Sequence, residues 1–298
     1  MNNRQLWKLM QEVIEAIVPR YEPAVKSVTL ETGLDARTWG MLLAALSFDP
    51  KPVSVARLQV RGPYTAADAY LVRLLPAAEK GYLAEVAPGE YRLTEVGLNE
   101  TQRSISAVRE AMVRADPLPL ADGQRLVGLL RRLVGVSLAA PPPPDTWSIR
   151  LSFKLMPKTD PPLPYVEQAI TCLMAYRDDA HLAAWRPSGL SATALEALTF
   201  LWSGEAGSLE AVCERLAPRG HPEQVYAQAL GELRQRDFAS GSDDALHVTD
   251  SGRGFRDQVE ATTDRYFYGP WASLNDGDKI ELGEILVRLR DGLRRGRP

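Results

Sequence analysis

The sequence predicts a mainly α-helical fold with small β-hairpins, in which one arrangement of helices and a hairpin occurs twice beside additional packing helices. Two observations lead to this prediction. Apolar residues recur every three or four positions through most of the 298 residues, which is the spacing of amphipathic helices. A motif that ends in threonine, an acidic residue, a variable residue and glycine occurs once in each half of the chain. Such a repeat indicates duplicated structural units.

Three segments carry the clearest helical stripes, at 3–19, at 121–137 and after Asn275. Asn275 stands where its side chain can cap the first turn of the last helix. Each apolar set falls on one face of its helix, so each helix is expected to pack against a core. The sets are Leu6, Met10, Val13, Ile14 and Ile17; Leu126, Leu129, Leu130, Leu133 and Val134; and Leu282, Ile285, Leu286, Leu289 and Leu293.

The repeated motif has the pattern of a short strand, a tight polar turn and a second short strand. Its copies lie at 82–97, around a Pro-Gly turn, and at 238–252. Thr94 and Thr249 each suit the N-cap position of the helix that follows, and the acidic residue after each threonine favours the positive helix end. Three predicted helices precede each copy, at 37–46, 54–60 and 65–80 in the first half and at 191–202, 208–216 and 222–236 in the second.

This order of elements is that of a winged helix-turn-helix domain, whose third helix is the recognition helix. The segments Tyr91–Gly97 and Leu246–Gly252 resemble the region after the wing in MarR-like winged helix-turn-helix regulators, particularly tandem versions in one chain. The segment Tyr176–Trp185 is similar to part of a group of uncharacterised helix-turn-helix family proteins. The resemblance implies two winged helix-turn-helix domains and a transcriptional regulator that binds double-stranded DNA.

The candidate DNA contacts lie on the two recognition helices, on their approaches and on the first wing. Glutamine can pair with adenine through two hydrogen bonds, and arginine can contact guanine or a phosphate. The candidates are Tyr64, Thr65, Tyr70, Arg73 and Arg92 in the first half, and Arg219, His221, Gln224 and Gln228 in the second.

Charge argues against this interpretation and keeps an alternative open. The formal net charge is -3, whereas proteins that bind DNA mainly through phosphates carry basic surfaces. Glu223 and Glu232 also face outward on the second recognition helix if Leu230 and Leu233 face inward. The alternative is a winged-helix scaffold or small-molecule sensor that does not bind DNA.

A small-molecule effector is a further candidate partner, with Asp179, His181 and Trp185 as its candidate site. A carboxylate close to an imidazole can form a polar binding or catalytic site. The same residues can equally satisfy backbone groups at the end of a helix. The sequence contains no phosphate-binding glycine loop, nucleophile elbow, His-Glu-x-x-His or Cys-x-x-Cys motif. We therefore expect no enzyme activity, no cofactor and no metal site.

Two proline-rich stretches predict the domain boundaries. We expect an N-terminal winged-helix domain at 1–138, a proline-rich linker at 139–164 and a C-terminal winged-helix domain at 165–298. Within the linker, apolar and polar residues alternate strictly from Trp147 to Leu155, which predicts one extended strand.

The helix that follows the first hairpin predicts how the two halves associate. Its residues Leu98, Thr101, Ile105, Val108 and Met112 form a narrow seam. We expect this seam to pair with the helix after the second hairpin or with the last helix, which makes the chain a pseudo-dimeric monomer, or else to form a homodimer. The chain has no apolar run long enough to span a membrane and only two cysteines, so we expect a cytoplasmic protein.

Overall fold

The computed structural model describes residues 1–157 and 162–296, and these residues form mainly helices with two small antiparallel sheets. The α-helices are α1 (Asn3–Thr32), α2 (Ala36–Phe48), α3 (Val55–Arg61), α4 (Ala67–Glu79), α5 (Glu95–Ala115), α6 (Leu120–Leu138), α7 (Trp147–Phe153), α8 (Pro162–Trp185), α9 (Ala192–Ser203), α10 (Leu209–Leu216), α11 (Glu223–Gln235), α12 (Asp250–Tyr268) and α13 (Asp276–Arg295). The strands are β1 (Val53–Ser54), β2 (Leu83–Ala87), β3 (Glu90–Leu93), β4 (Ala239–Ser242) and β5 (Ala245–Val248). Short 3-10 helices occupy Arg186–Ser188, Ala217–Arg219 and Gly269–Ser273. The mainly helical fold with small hairpins is therefore confirmed.

The chain forms two compact units, and each unit draws residues from both halves of the sequence. Unit 1 consists of Met1–Val53, Leu74–Asp179 and Tyr266–Pro298, and unit 2 consists of Ser54–Arg73 and Ala180–Arg265. The predicted domains at 1–138 and 165–298, with a linker at 139–164, are each continuous in sequence, and this division stays a prediction. Residues 158–161 of the predicted linker and the last two residues lie outside the described residues.

Unit 1 is organised around α1, which is 30 residues long. The side chain of Asn2 accepts a hydrogen bond from the Gln5 backbone N–H, and the Gln5 side chain bonds back to Asn2, so a capping box starts the helix. Its apolar face is buried as the sequence predicts, and α1 packs against both α5 and α13. The Asn275 side chain caps α13 in the same manner, by accepting from the Asp278 backbone N–H at 2.8 Å.

The predicted partner of the seam on α5 is wrong. Thr101, Val108 and Met112 are buried as expected, but α5 packs against α1, as does α13. The physical reason is the length of α1, which continues past the predicted end at residue 19, through Pro19 and Pro23, as far as Thr32. Such a helix is about 45 Å long and provides an apolar face for more than one partner.

The predicted strand in the linker is also wrong, because Trp147–Phe153 is the helix α7. The carboxylate of Asp179 accepts hydrogen bonds from the backbone N–H groups of Ser148 at 2.8 Å and Ile149 at 3.0 Å. These amides belong to the first helical turn, which has no partners of its own within the helix. A contact across 30 residues of sequence therefore overrides the local alternation.

Each hairpin lies where the repeated motif predicts it. In unit 1, β2 and β3 pair antiparallel with Leu83 opposite Leu93, within a sheet of order β1-β3-β2. In unit 2, β4 and β5 pair antiparallel with Ala239 opposite Val248. The core of unit 2 lies between α9, α10, α11 and this hairpin, with Leu198, Leu230 and Leu246 among its buried residues. Serines cap the two preceding helices, since Ser191 and Ser208 each accept a backbone N–H at 3.2 Å.

The two copies of the motif form the same local structure. The hydroxyl of Thr94 accepts from the Gly97 backbone N–H at 2.9 Å, and that of Thr249 accepts from the Gly252 N–H at 3.0 Å. Each hydroxyl also donates to the carbonyl of a residue with positive φ, which is Gly81 in the first copy and a non-glycine, Asp237, in the second. The predicted N-caps are confirmed.

The glycine of each motif allows close backbone packing. A Cβ atom on Gly97 would overlap the carbonyl oxygen of Tyr82, and one on Gly252 would overlap that of Phe238. Both carbonyls accept the backbone N–H of the capping threonine, at 3.0 and 3.2 Å respectively. The glycine is therefore required where the helix crosses the start of the hairpin.

Within residues 1–157 and 162–296, none of the helices has the length and apolar character needed to cross a membrane.

Candidate nucleic-acid interface

The helix α11 of unit 2 has one buried face and one exposed face. Tyr226, Ala229, Leu230 and Leu233 are buried against the core of the unit. Gln224, Gln228 and Gln235 are exposed, and Gly231 lies between them. These four positions are separated by four, three and four residues, so they form one stripe along the helix. We call them the α11 stripe.

The α11 stripe carries no charge, and its amides are available to an external partner. Across the described residues, the side chains of Gln224, Gln228 and Gln235 have no hydrogen-bond partner. A Cβ atom added to Gly231 would meet nothing within 4 Å. Side-chain amides present both donors and an acceptor, which are the groups that contact base edges.

Arg219, in the turn before α11, is held by an ion pair. Its Nε and Nη2 atoms donate to Oε1 of Glu196 at 2.9 and 2.5 Å, and its guanidinium lies 5.6 Å from the ring centre of Tyr64. Burial raises the pKa of the Glu196 carboxyl, and the charge of Arg219 opposes that rise. Arg219 therefore serves first to neutralise a largely buried carboxylate.

His221 and Tyr226 fix the start of α11. The Nε2 atom of His221 lies 3.0 Å from the backbone carbonyl oxygen of Tyr64, and the imidazole ring packs edge-on against the Tyr226 ring. The Tyr226 hydroxyl donates to the carbonyl of Leu216 at 3.2 Å. Burial is the main cause that raises the pKa of Tyr226 to about 12, so the phenol stays protonated as a donor.

Four of the five first-half candidates, all except Arg92, lie in unit 2 beside this same turn. Thr65 and Tyr70 are buried, and the Tyr70 hydroxyl donates to the Gly62 carbonyl at 3.1 Å. Arg73 lies over the Tyr70 ring and donates to the carbonyl of Pro218 at 3.4 Å. The backbone of the two segments is also joined, because the Ala66 N–H donates to the Arg219 carbonyl at 2.9 Å.

The structure thus brings six of the nine candidate DNA contacts into one packed cluster, which we call the turn cluster. Its members contact one another or the backbone beside them, so their side chains have structural roles. They are Tyr64, Thr65, Tyr70, Arg73, Arg219 and His221. Gln224 and Gln228 remain exposed on α11, and Arg92 is exposed on β3 of unit 1.

The three effector candidates have separate contacts. Asp179 belongs to unit 1, where it caps α7. In unit 2, the Nδ1 atom of His181 lies 3.3 Å from the Thr263 hydroxyl, and the Trp185 indole donates to the Tyr64 hydroxyl at 3.0 Å. No group of three His, Cys, Asp or Glu residues in the described part of the chain is arranged to hold a metal.

Two features of the interface were missed by sequence reasoning. Glu196 is the counter-ion of Arg219 across 23 residues, and no local pattern indicates that contact. Gln235 and Gly231 complete the α11 stripe, and their helical spacing from Gln228 was available as a signal.

Unit 2 has more acidic than basic residues. Its two segments contain 11 arginines, no lysine and 14 aspartates and glutamates. Several arginines are also paired, as Arg234 is with Asp243 at 2.7 Å and Arg256 with Glu260 at 2.6 Å. Unit 2 therefore has no excess of basic residues to attract a polyanion.

A family model described as a helix-turn-helix family matches residues 4–296 of the chain. The comparisons with curated proteins and with solved structures found no match to the chain.

Proposed function

The chain belongs to this helix-turn-helix family, and we propose that it is a cytoplasmic, non-enzymatic transcriptional regulator of the MarR-like winged-helix type. The observation that supports DNA binding best is α11, the third helix before a hairpin, with its exposed and uncharged stripe. In helix-turn-helix proteins the helix at this position enters the major groove. We propose that α11 binds DNA in this way and that the hairpin β4–β5 is its wing.

In this proposal the two repeated segments have different roles. Residues 54–73 form the turn cluster with the approach to α11, so we propose that they hold α11 in position and do not contact bases. Positioning of a recognition element by rigid neighbours favours specific binding, because less conformational freedom is lost when the complex forms. One chain supplies both segments, and we propose a monomer in solution.

The proposal is tested by selecting duplexes from a random DNA library with the full chain, followed by fluorescence anisotropy on the enriched sequence. We expect Gln224→Ala to weaken specific binding by about 1–3 kcal/mol, the usual contribution of a paired base contact. Gln102→Ala, at an exposed position of α5, is the matched control and should leave affinity unchanged. Failure to enrich any sequence would refute DNA recognition.

A second candidate is a winged-helix scaffold or small-molecule sensor that does not bind DNA. The excess of acidic residues in unit 2 favours it, because a DNA phosphate would be repelled there. Its effector would be a small molecule at the helix that carries His181 and Trp185. This candidate predicts no enriched DNA, together with a rise in melting temperature when its small-molecule ligand is added.

A further inference from the structure

The spacing of the two glutamines nearest the start of α11 matches a spacing in DNA. Gln224 and Gln228 are four residues apart on the exposed face, so they are separated by about 6 Å along the helix axis. Successive base pairs are separated by about 3.4 Å along the duplex. Two side chains at this separation therefore face positions about two base pairs apart when the helix follows the groove.

Chemistry selects the base that each side chain contacts. A glutamine amide can donate to N7 and accept from N6 of adenine at once, whereas guanine at the same place presents two acceptors. Because both amides are without partners in the described part of unit 2, neither contact requires an internal bond to break. Resting on the DNA-binding function proposed above, we infer that Gln224 and Gln228 select duplexes with adenines about two base pairs apart.

Gly231 supports the same placement of the duplex. Glycine inside a helix lowers helix stability relative to alanine, and at Gly231 nothing in the described chain would contact an added Cβ. The internal packing therefore does not require glycine here. A missing side chain in the middle of the stripe lets a groove wall approach the helix backbone closely.

The corresponding face of α4 lacks these properties. Its exposed positions are Asp68, Val72, Leu75 and Glu79, which combine two carboxylates with two apolar side chains. Val72 is 70% exposed. Such a face has no amide that could pair with a base edge, so the adenine contacts are assigned to α11 alone.

The test exchanges the specificity of one glutamine at a time. Arginine pairs with O6 and N7 of guanine, so Gln224→Arg and Gln228→Arg should each change one enriched adenine to guanine, at two different positions. At each of these positions, the ratio of the affinity for the guanine-containing duplex to that for the adenine-containing duplex should rise by at least tenfold. Gln102→Arg adds the same charge on α5 and should leave the enriched sequence as it is in the wild type.

The outcomes separate the two proposals. If the wild type enriches a sequence and neither arginine variant alters it, the adenine assignment is overturned while DNA binding stands. If the wild type enriches nothing, both are overturned. A change of adenine to guanine at two positions that lie about two base pairs apart supports the assignment.

Gly231→Ala supplies a measurement that does not depend on base identity. This variant should raise the melting temperature, because alanine favours the helix, and should weaken binding to the selected duplex by at least tenfold. Gly254→Ala is the matched control, because Gly254 is an exposed glycine of α12 with nothing within 4 Å of its Cβ position. It should stabilise the fold and leave binding unchanged. Equal binding by both variants would overturn the close approach at Gly231.

Discussion

Glu167 of α8 makes the stability of the protein depend on pH. Burial of its carboxyl group raises the pKa to about 6, from the ordinary value of 4.5, although the Thr171 hydroxyl donates to it at 3.3 Å and the charge of Arg109 favours ionisation. The Tyr21 phenol, whose own pKa is raised by burial and by Glu167, faces the same group. We therefore expect Glu167→Gln, which keeps the size and the hydrogen-bonding capacity, to stabilise the protein near neutral pH.

The magnitude follows from the two pKa values. The Glu167 carboxyl stays protonated up to a higher pH in the native state than in the unfolded state. The free energy of unfolding of the wild type therefore falls as pH rises from about 4.5 through about 6. A difference of 1.5 pKa units corresponds to about 2 kcal/mol when the group is fully ionised. Linkage then gives Glu167→Gln an advantage of about 0.8 kcal/mol at pH 5 and about 2 kcal/mol at pH 7.

The assay is urea denaturation of the full chain at several pH values between 5 and 7.5, followed by circular dichroism. Glu284→Gln, at an exposed position of α13, is the control for loss of one negative charge and should follow the wild-type pH dependence. Parallel curves for the wild type and Glu167→Gln across this range would refute the assignment of the pH dependence to Glu167.

Three further substitutions test the structure itself, each measured as the free energy of unfolding. Gly97→Ala should cost about 1–3 kcal/mol because its Cβ would overlap a backbone carbonyl, whereas Gly254→Ala should not destabilise; equal effects would contradict this packing. Asp179→Ala should cost about 1–3 kcal/mol, because it removes the acceptor of two buried backbone amides of α7. The same variant should show faster amide hydrogen exchange in α7, and unchanged exchange would contradict the cap. Arg219→Met leaves the Glu196 carboxylate without its counter-ion and should cost about 1–3 kcal/mol, a value reduced by the partial exposure of the pair. Glu196→Gln in that background should restore most of the loss, and additive effects would contradict the pairing.

Local patterns predicted the elements that local chemistry determines. The helices α9, α10 and α11 begin and end within one or two residues of the predicted positions, and both hairpins follow as expected. Ser191 and Ser208 cap the starts of α9 and α10, a left-handed glycine ends α9, and Thr249 caps the helix after the second hairpin. Information of this kind is present in the sequence itself.

The contacts that were not predicted are long-range. The strand expected at 147–155 is a helix because Asp179 binds its first amides, and the seam of α5 meets α1 because α1 extends to Thr32. At the candidate interface, sequence reasoning placed Gln224 on the exposed face of α11. It did not show that Arg219 is paired with Glu196, since that pairing exists only in the folded chain.

The ion pairs made by arginines in unit 2 decide whether phosphate contacts or hydrogen bonds to bases would contribute more to the proposed DNA binding. Non-specific affinity for DNA comes mainly from unpaired cations that release counter-ions, and in unit 2 Arg219, Arg234 and Arg256 already neutralise carboxylates. Contact with a phosphate would require these ion pairs to separate and would leave an acidic group unpaired, which is costly for a partly buried carboxylate such as Glu196. Hydrogen bonds from the α11 stripe to base edges require no such separation. For the DNA-binding function proposed above, this balance of charges predicts weak binding to most DNA and much tighter binding to one sequence class, with base contacts as the main source of affinity.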